Sequence, residues 1–266
     1  MRNLERLTAQ QKTGLALAAA VALVALLSLA WTPYDPLEAD PAARLQGSGA
    51  AHWMGTDQFG RDVLSRVMAG ARITLVVSLC AVGLAALIGV PLGIWAGMRR
   101  GWVEAAVMRL NDLALAFPAL LLAIVLTAVF GAGIGVVVAA IGLAGIPGFA
   151  RVARAGTLQV MSQDYILAAR VARVPPLRVA VRHVVPNIAP IVVVQVSVAL
   201  ALAILAEAGL SFLGLGTPAP YASWGRMLQA SQPYLATAPH LAAWPGLAIA
   251  LTVLGFNLIG GGRDQR

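Results

Sequence analysis

Charged residues vanish from six long stretches of this chain, 13–34, 73–98, 113–150, 183–206, 208–225 and 227–262. One helical crossing of a bilayer takes about 20 apolar residues, and most of these stretches meet or approach that length. The pattern predicts an all-α, polytopic membrane protein with about six transmembrane helices in a single domain over residues 1–266. A first span covers about Gly14–Trp31 and ends at Pro33 and Pro36, and a second covers about Ile73–Gly97. As one helix, residues 113–150 would be about 57 Å long, too long for a single crossing. Gly131, Gly133 and Gly135 offer a turn, giving a third span near Met108–Phe130 and a fourth near Ile134–Phe149. The fifth runs about Ile188–Leu213 and the sixth about Leu241–Ile259. Pro118, Pro147 and Pro190 are expected to kink their helices.

The connections carry the charge. With the N-terminus inside, the inner segments hold Arg2, Arg6, Lys12, Arg99, Arg100, Arg109, Arg151, Arg154, Arg170, Arg173, Arg178, Arg182, Arg263 and Arg266. The outer segments keep Arg44, Arg61, Arg66, Arg72 and Arg226, with Asp35, Glu38, Asp40, Asp57 and Asp62 offsetting those of the first loop. The positive-inside bias therefore puts both termini in the cytoplasm. The first outer loop, 32–72, closes in an amphipathic stretch. Phe59, Val63, Val67 and Ala71 recur every four residues opposite Arg61, Asp62, Ser65 and Arg66. This predicts an interfacial helix, capped by Thr56 or Asp57, that feeds the second span.

Composition agrees with lipid as the solvent: 59% hydrophobic, 11% charged, mean hydropathy +0.82, against about 25% charged in a soluble domain. A net charge of +8 suggests nucleic acid until the charges are located, at the ends of apolar runs and not on a soluble face. Cys80 has no partner cysteine. The stretch Gly14–Trp31 is too long for a signal-peptide core and lacks a small-residue cleavage site, so it reads as a retained span. Catalytic chemistry is missing. The one lysine, Lys12, follows Gln11, so no P-loop exists, and any ATP-driven work needs partner subunits. His52, His183 and His240 are far apart with no ligand-spaced Cys or acid, which argues against a metal. The chain is not expected to be an enzyme.

The inner loop, about 151–187, contains Gln163 to Asn187, QDYILAARVARVPPLRVAVRHVVPN. A short helix is expected from Asp164 to Val174, stopped by Pro175-Pro176, with a second from Leu177 towards Pro186. A helix of about three turns, with small Ala168 and Ala169 among arginines, can dock into a groove with an acidic rim. Ala168-Ala169, the gap from Arg173 and Val184-Val185-Pro186 resemble the EAA loop of permease subunits in binding-protein-dependent ABC importers. In that pattern Leu167 stands where the family has Glu and Arg173 where it has Gly. His52 to Asp62 (HWMGTDQFGRD) is similar to the outer-loop signature of dipeptide, oligopeptide and nickel permeases. Asp112 to Leu122 (DLALAFPALLL), Ala206 to Gly216 (AEAGLSFLGLG), Ser223-Trp224-Gly225 and Pro245 to Leu258 (PGLAIALTVLGFNL) match in the family's order. The tail departs from it, reading Gly260-Gly261-Gly262-Arg263-Asp264.

The resemblance implies the type I ABC importer transmembrane fold in a bacterial plasma (inner) membrane. It implies a second homologous permease, two ATP-binding cassette subunits that use ATP and Mg, and an extracytoplasmic solute-binding protein. It also implies import of di- or oligopeptides, with nickel chelate, haem or another small solute as alternatives. On this pattern Asp164, Tyr165, Leu167, Ala168, Ala169, Arg170 and Arg173 are candidates for ATPase coupling. Asp112, Phe117, Pro118, Glu207, Ser211 and Phe212 are candidates for the translocation pathway, because intramembrane carboxylates and breaks favour polar cavities. Each carboxylate also has a plainer reading: Asp112 pairing with Arg109, Glu207 capping backbone near Gly209. A stand-alone secondary transporter would show internal repeats with interrupted helices or a filter, and neither is visible. A membrane scaffold uncoupled from any ATPase is the third reading.

Overall fold

The computed structural model describes residues 8–116 and 118–261. Among them no β-strand forms, and the backbone is helical apart from its connections. In chain order the helices are α1 (Ala9–Ala30), α2 (Val63–Arg99), α3 (Gly101–Ala116), α4 (Ala119–Phe130), α5 (Ile134–Met161), α6 (Asp164–Val171), α7 (Pro176–Val179), α8 (Val185–Phe212), α9 (Trp224–Ser231) and α10 (His240–Gly261). A π-helical turn, Ala180–Val184, joins α7 to α8. Pro186 has no N–H to return to the carbonyl of Arg182, and a widened turn accommodates the missing bond. Five helical stretches are long and apolar enough to cross a membrane: α1, α2, α5, Pro176–Phe212 and α10.

The third span differs from expectation. A single helix was expected near Met108–Phe130, but two helices, α3 and α4, meet there at 80°. Pro118 ends the ladder instead of bending it, and caps α4 from an extended conformation (ψ 129°). Counting the bent pair as one span restores six. Pro147 and Pro190, by contrast, lie inside continuous helices.

The second span also departs, at its N-terminal end. The helix starts ten residues before the expected Ile73, at Val63, and the cap is Asp62, not Thr56 or Asp57. Asp62 Oδ2 accepts from Ser65 N at 2.8 Å and from Ser65 Oγ at 2.7 Å. Phe59 lies outside the helix. The supposed polar face is buried too: Arg61, Asp62, Ser65 and Arg66 are all sequestered along with Val63, Val67 and Ala71. This is no interfacial helix but the enclosed first turns of α2, because the preceding loop folds over it. Asp57 organises that loop. Its carboxylate accepts from Phe59 N, Arg61 N and Arg61 Nε, while Arg66 Nη1 donates to Pro36 O at 3.0 Å. Gly60 turns the chain at φ 79° with Asp40 O so close that a Cβ would sit 1.7 Å from it.

The body of the fold is α2 packed along α5. Gly89, Gly93 and Gly97 form one small-residue ridge on α2, and added Cβ atoms would meet α5 at 2.6, 2.3 and 2.8 Å. Without side chains there, the two backbones approach closely, as membrane helices do where dispersion and not water drives packing. At one end of this pair, Ile94, Ala153, Val160, Ile166, Ala169, Val184 and Ile188 form a common core. Towards the other end, Trp224 is buried against α2, with Nε1 donating to Val67 O at 3.0 Å.

Candidate functional site

The short helix α6 projects between α5 and α8 and sits on its own chain through Ile166 and Ala169, which are buried against Ile94, Val160 and Ile188. Asp164 occupies its first turn and Arg170 its last, each favourable to the helix dipole. Tyr165, Leu167 (52% exposed), Ala168, Arg170 and Arg173 are exposed. The Tyr165 ring lies 5.9 Å from that of His183. The helix is shorter than expected, ending at Val171 instead of Val174. Arg173 adopts φ 51°, and its N–H bonds Arg170 O at 2.9 Å while Val174 N–H reaches Ala169 O at 3.0 Å. This left-handed Schellman stop ends the helix before either proline does.

One coupling candidate changes sides. Ala169, expected beside Ala168 on the outward face, is 8% exposed and packs into the chain's own core. Consecutive helical positions are about 100° apart, so when Ala168 faces out Ala169 turns in.

Of the pathway candidates, Glu207 and Ser211 come together and the other described ones lie apart from them. Asp112 pairs with Arg151, not Arg109, at 3.0 Å, with both partners exposed. Phe117 lies outside the described residues. Pro118 is exposed at the start of α4. Glu207 is 1% exposed, and caps no backbone near Gly209. Its carboxylate accepts from Thr74 Oγ1 at 3.1 Å and Ser211 Oγ at 2.7 Å, with the Ser223 hydroxyl as a further donor. Ser211 Oγ in turn accepts from Thr217 N at 3.2 Å. Glu207 thus ties α8 to α2 and to the cap of α9. Phe212, the last residue of α8, is partly exposed.

A groove of about 550 Å³ opens between α2, α5 and α8, with Leu115 and Leu120 at its flank. Ala81, Val82, Gly145, Gly148, Ala199 and Leu202 help to line it, and none of Asp112, Pro118, Glu207, Ser211 or Phe212 does. Its lining is apolar except for Gln195, whose Nε2 would stand 3.3 Å from a Cβ on Gly148. The sequence held a signal for Gln195, which with Asn187 makes the two amides of the uncharged stretch 183–206 and is the deeper of them, and the reading passed over it. Among the described residues no three His, Cys, Asp or Glu side chains come together as a metal would need.

Residues 89–262 match the family model described as binding-protein-dependent transport system inner membrane component. The chain is 38% identical over 249 residues to the dipeptide transport system permease protein DppC of Alkalihalophilus pseudofirmus, covering 94% of this chain and 82% of that one. It is 40% identical over 253 residues to the glutathione transport system permease protein GsiD of Pectobacterium atrosepticum, covering 93% and 84%. To the nickel transport system permease protein NikC of Escherichia coli K12 it is 36% identical, over 94% and 90%. Inward-facing structures of the MetNI methionine ABC transporter share the fold, with TM-score 0.60 over 71% of this chain and 90% of that one at 16% identity. The chain belongs to the family of binding-protein-dependent transport system inner membrane components, as an ABC importer permease of the dipeptide, oligopeptide and nickel type.

Proposed function

We propose that this chain is one of two homologous permeases that enclose a path for di- or oligopeptides and couple it to two partner ATPases. Both termini and the loop 151–187 face the cytoplasm in this reading, the loop 32–72 faces outward, and a solute-binding protein delivers peptide there. The arginine asymmetry supports that orientation. ATP and Mg belong to the partner subunits. Two of the three relatives named above carry a peptide in their names, which favours peptide over nickel chelate or haem.

The observation that carries the coupling role is the shape of α6. It is anchored inward by Ile166 and Ala169 and presents Tyr165, Leu167, Ala168 and Arg170 outward, with Arg173 just beyond its end. An exposed leucine and tyrosine beside two arginines suit a groove that is apolar at its centre and acidic at its rim. Ala168→Trp adds bulk at the outward face, and overpacking a fitted contact costs about 1–3 kcal/mol. The assembled transporter in proteoliposomes should therefore lose peptide uptake and peptide-stimulated ATPase while the chain still inserts. Normal uptake by Ala168→Trp with full ATPase coupling removes α6 from the mechanism. Uptake of nickel or haem but not of di- to tetrapeptides by the wild type replaces the substrate class.

A further inference from the structure

Beside the loop 32–62 lies a second pocket, of about 350 Å³, which shares no lining residue with the groove. Its walls include Leu37, Phe59, Arg61, Arg66, Tyr221 and Arg226, and among the described residues no acid lines it. Arg61 and Arg66 are 9% and 4% exposed, so bulk water and salt screen them poorly. Both lean on a single carboxylate. Arg61 Nε lies 2.7 Å and Arg66 Nε 3.4 Å from Asp57 Oδ2. Arg226 is within electrostatic reach of Arg66, and its own hydrogen bond goes to the neutral Gln229 on the same helix. Arg61 and Arg66 thus share one anion, and Arg226 brings a third positive charge beside them. In a half-enclosed site the surplus positive charge acts at a reduced dielectric and draws an anion strongly. Around it stand Phe59 and Tyr221, each 53% exposed, with the Arg61 guanidinium 4.6 Å from the Phe59 ring centroid. Exposed aromatics around sequestered arginines form the residue mix of a protein-docking hot spot.

We infer that this pocket receives an Asp or Glu side chain of the extracytoplasmic solute-binding protein, a step that rests on the importer reading and orientation proposed above. A carboxylate offers two coplanar oxygens to the guanidinium fork and brings the second anion the three cations lack. The separation from the groove favours a docked protein over a solute in transit.

The test uses the complete transporter in nanodiscs and its own binding protein, with affinity measured at low and physiological salt. Arg226→Glu is the informative variant, because Arg226 bonds within α9 and its replacement leaves the Asp57 lock in place. Binding should weaken about tenfold or more, with a shallower salt dependence, since charged contacts govern encounter and register. Tyr221→Ala should weaken binding without altering the salt slope. Basal ATPase and subunit composition should stay as in wild type for both. Unchanged affinity of Arg226→Glu at both salts, with the complex intact, overturns the docking site and leaves the importer reading standing on its ATPases. The inference also fails if a free acidic dipeptide binds the complex without the binding protein and loses that binding in Arg226→Glu, because the pocket would then hold a small anion.

Discussion

Replacing Arg173 by Gly isolates the strain at the end of α6. Arg173 sits at φ 51°, where a Cβ crowds the following carbonyl and costs about 1–2 kcal/mol. The position is nonetheless held, by the bonds Arg173 N–H to Arg170 O and Val174 N–H to Ala169 O. Glycine relieves the crowding but loses more chain freedom on ordering, roughly 0.5–1 kcal/mol. The difference favours glycine by about 0.5–1 kcal/mol, which makes the closed stop two- to fivefold more favoured, with tenfold corresponding to about 1.4 kcal/mol. Hydrogen exchange of the assembled transporter reads this directly at the Val174 amide, which opens when the stop opens. Arg173→Gly should slow its exchange about two- to fivefold, and Arg173→Ala, which keeps the Cβ, should not. If glycine brings no slowing, the left-handed geometry is not costing what its φ implies. If alanine slows exchange as much as glycine, loss of the charge and not backbone relief is responsible.

Two further substitutions probe the packing. Glu207→Ala removes the acceptor shared by Thr74 and Ser211 and leaves a void among buried hydroxyls. An unsatisfied buried partner costs about 1–3 kcal/mol, so folded yield and melting temperature should fall. Glu207→Gln, whose amide the hydroxyls can turn to meet, should retain more of both, and peptide uptake per folded molecule should be near wild type. A large uptake defect in fully folded Glu207→Gln would return this carboxylate to the pathway. Gly93→Ala places a Cβ 2.3 Å from Ala150 O, so α2 and α5 must separate along their ridge. Overpacking of about 1–3 kcal/mol should lower the melting temperature of the purified complex, and an unchanged value contradicts the close approach.

The spans were legible because lipid imposes one rule, long uncharged runs, and the runs stand in the sequence. Where that rule is silent the reading went astray. The residues Arg61, Asp62 and Arg66 looked like a solvated face, since charge content does not tell a paired, enclosed ion from an exposed one. Burial with Asp57 and Pro36 as partners is a tertiary fact. Pro118 was legible as a perturbation, but whether a proline bends or breaks a helix depends on what the flanking turns pack against. The inward turn of Ala169 was within reach, since neighbouring helical positions cannot share a face. So was the ridge Gly89, Gly93 and Gly97, spaced by four. Its partner α5 was not, because nothing local names the helix a glycine face meets. Glu207 and Gln195 divide the same way: both stood out as polar in apolar runs, but only the packed helices separate the structural tie from the groove wall.

The position of that ridge bears on how force would travel. Helix α2 covers 37 residues, about 55 Å at 1.5 Å per residue. Along its C-terminal half the glycines hold it against α5 at backbone distance, too close for the two to slide independently without opening a void. Helix α5 ends at Met161, with two residues between it and α6, and Ile166 and Ala169 bed α6 on Ile94 of α2 and Val160 of α5. A push at α6 in the proposed coupling therefore enters both helices at once and moves them as one body. That body carries Ala81, Val82, Gly145 and Gly148 on one wall of the groove. At its far end α2 is fastened to the loop 32–62 through Asp62 and Arg66, so the Arg61 and Arg66 wall of the arginine pocket moves with it. A contact made at that pocket and a contact made at α6 thus bias the same rigid element from opposite ends, which is the minimum that reciprocal coupling between two sites requires.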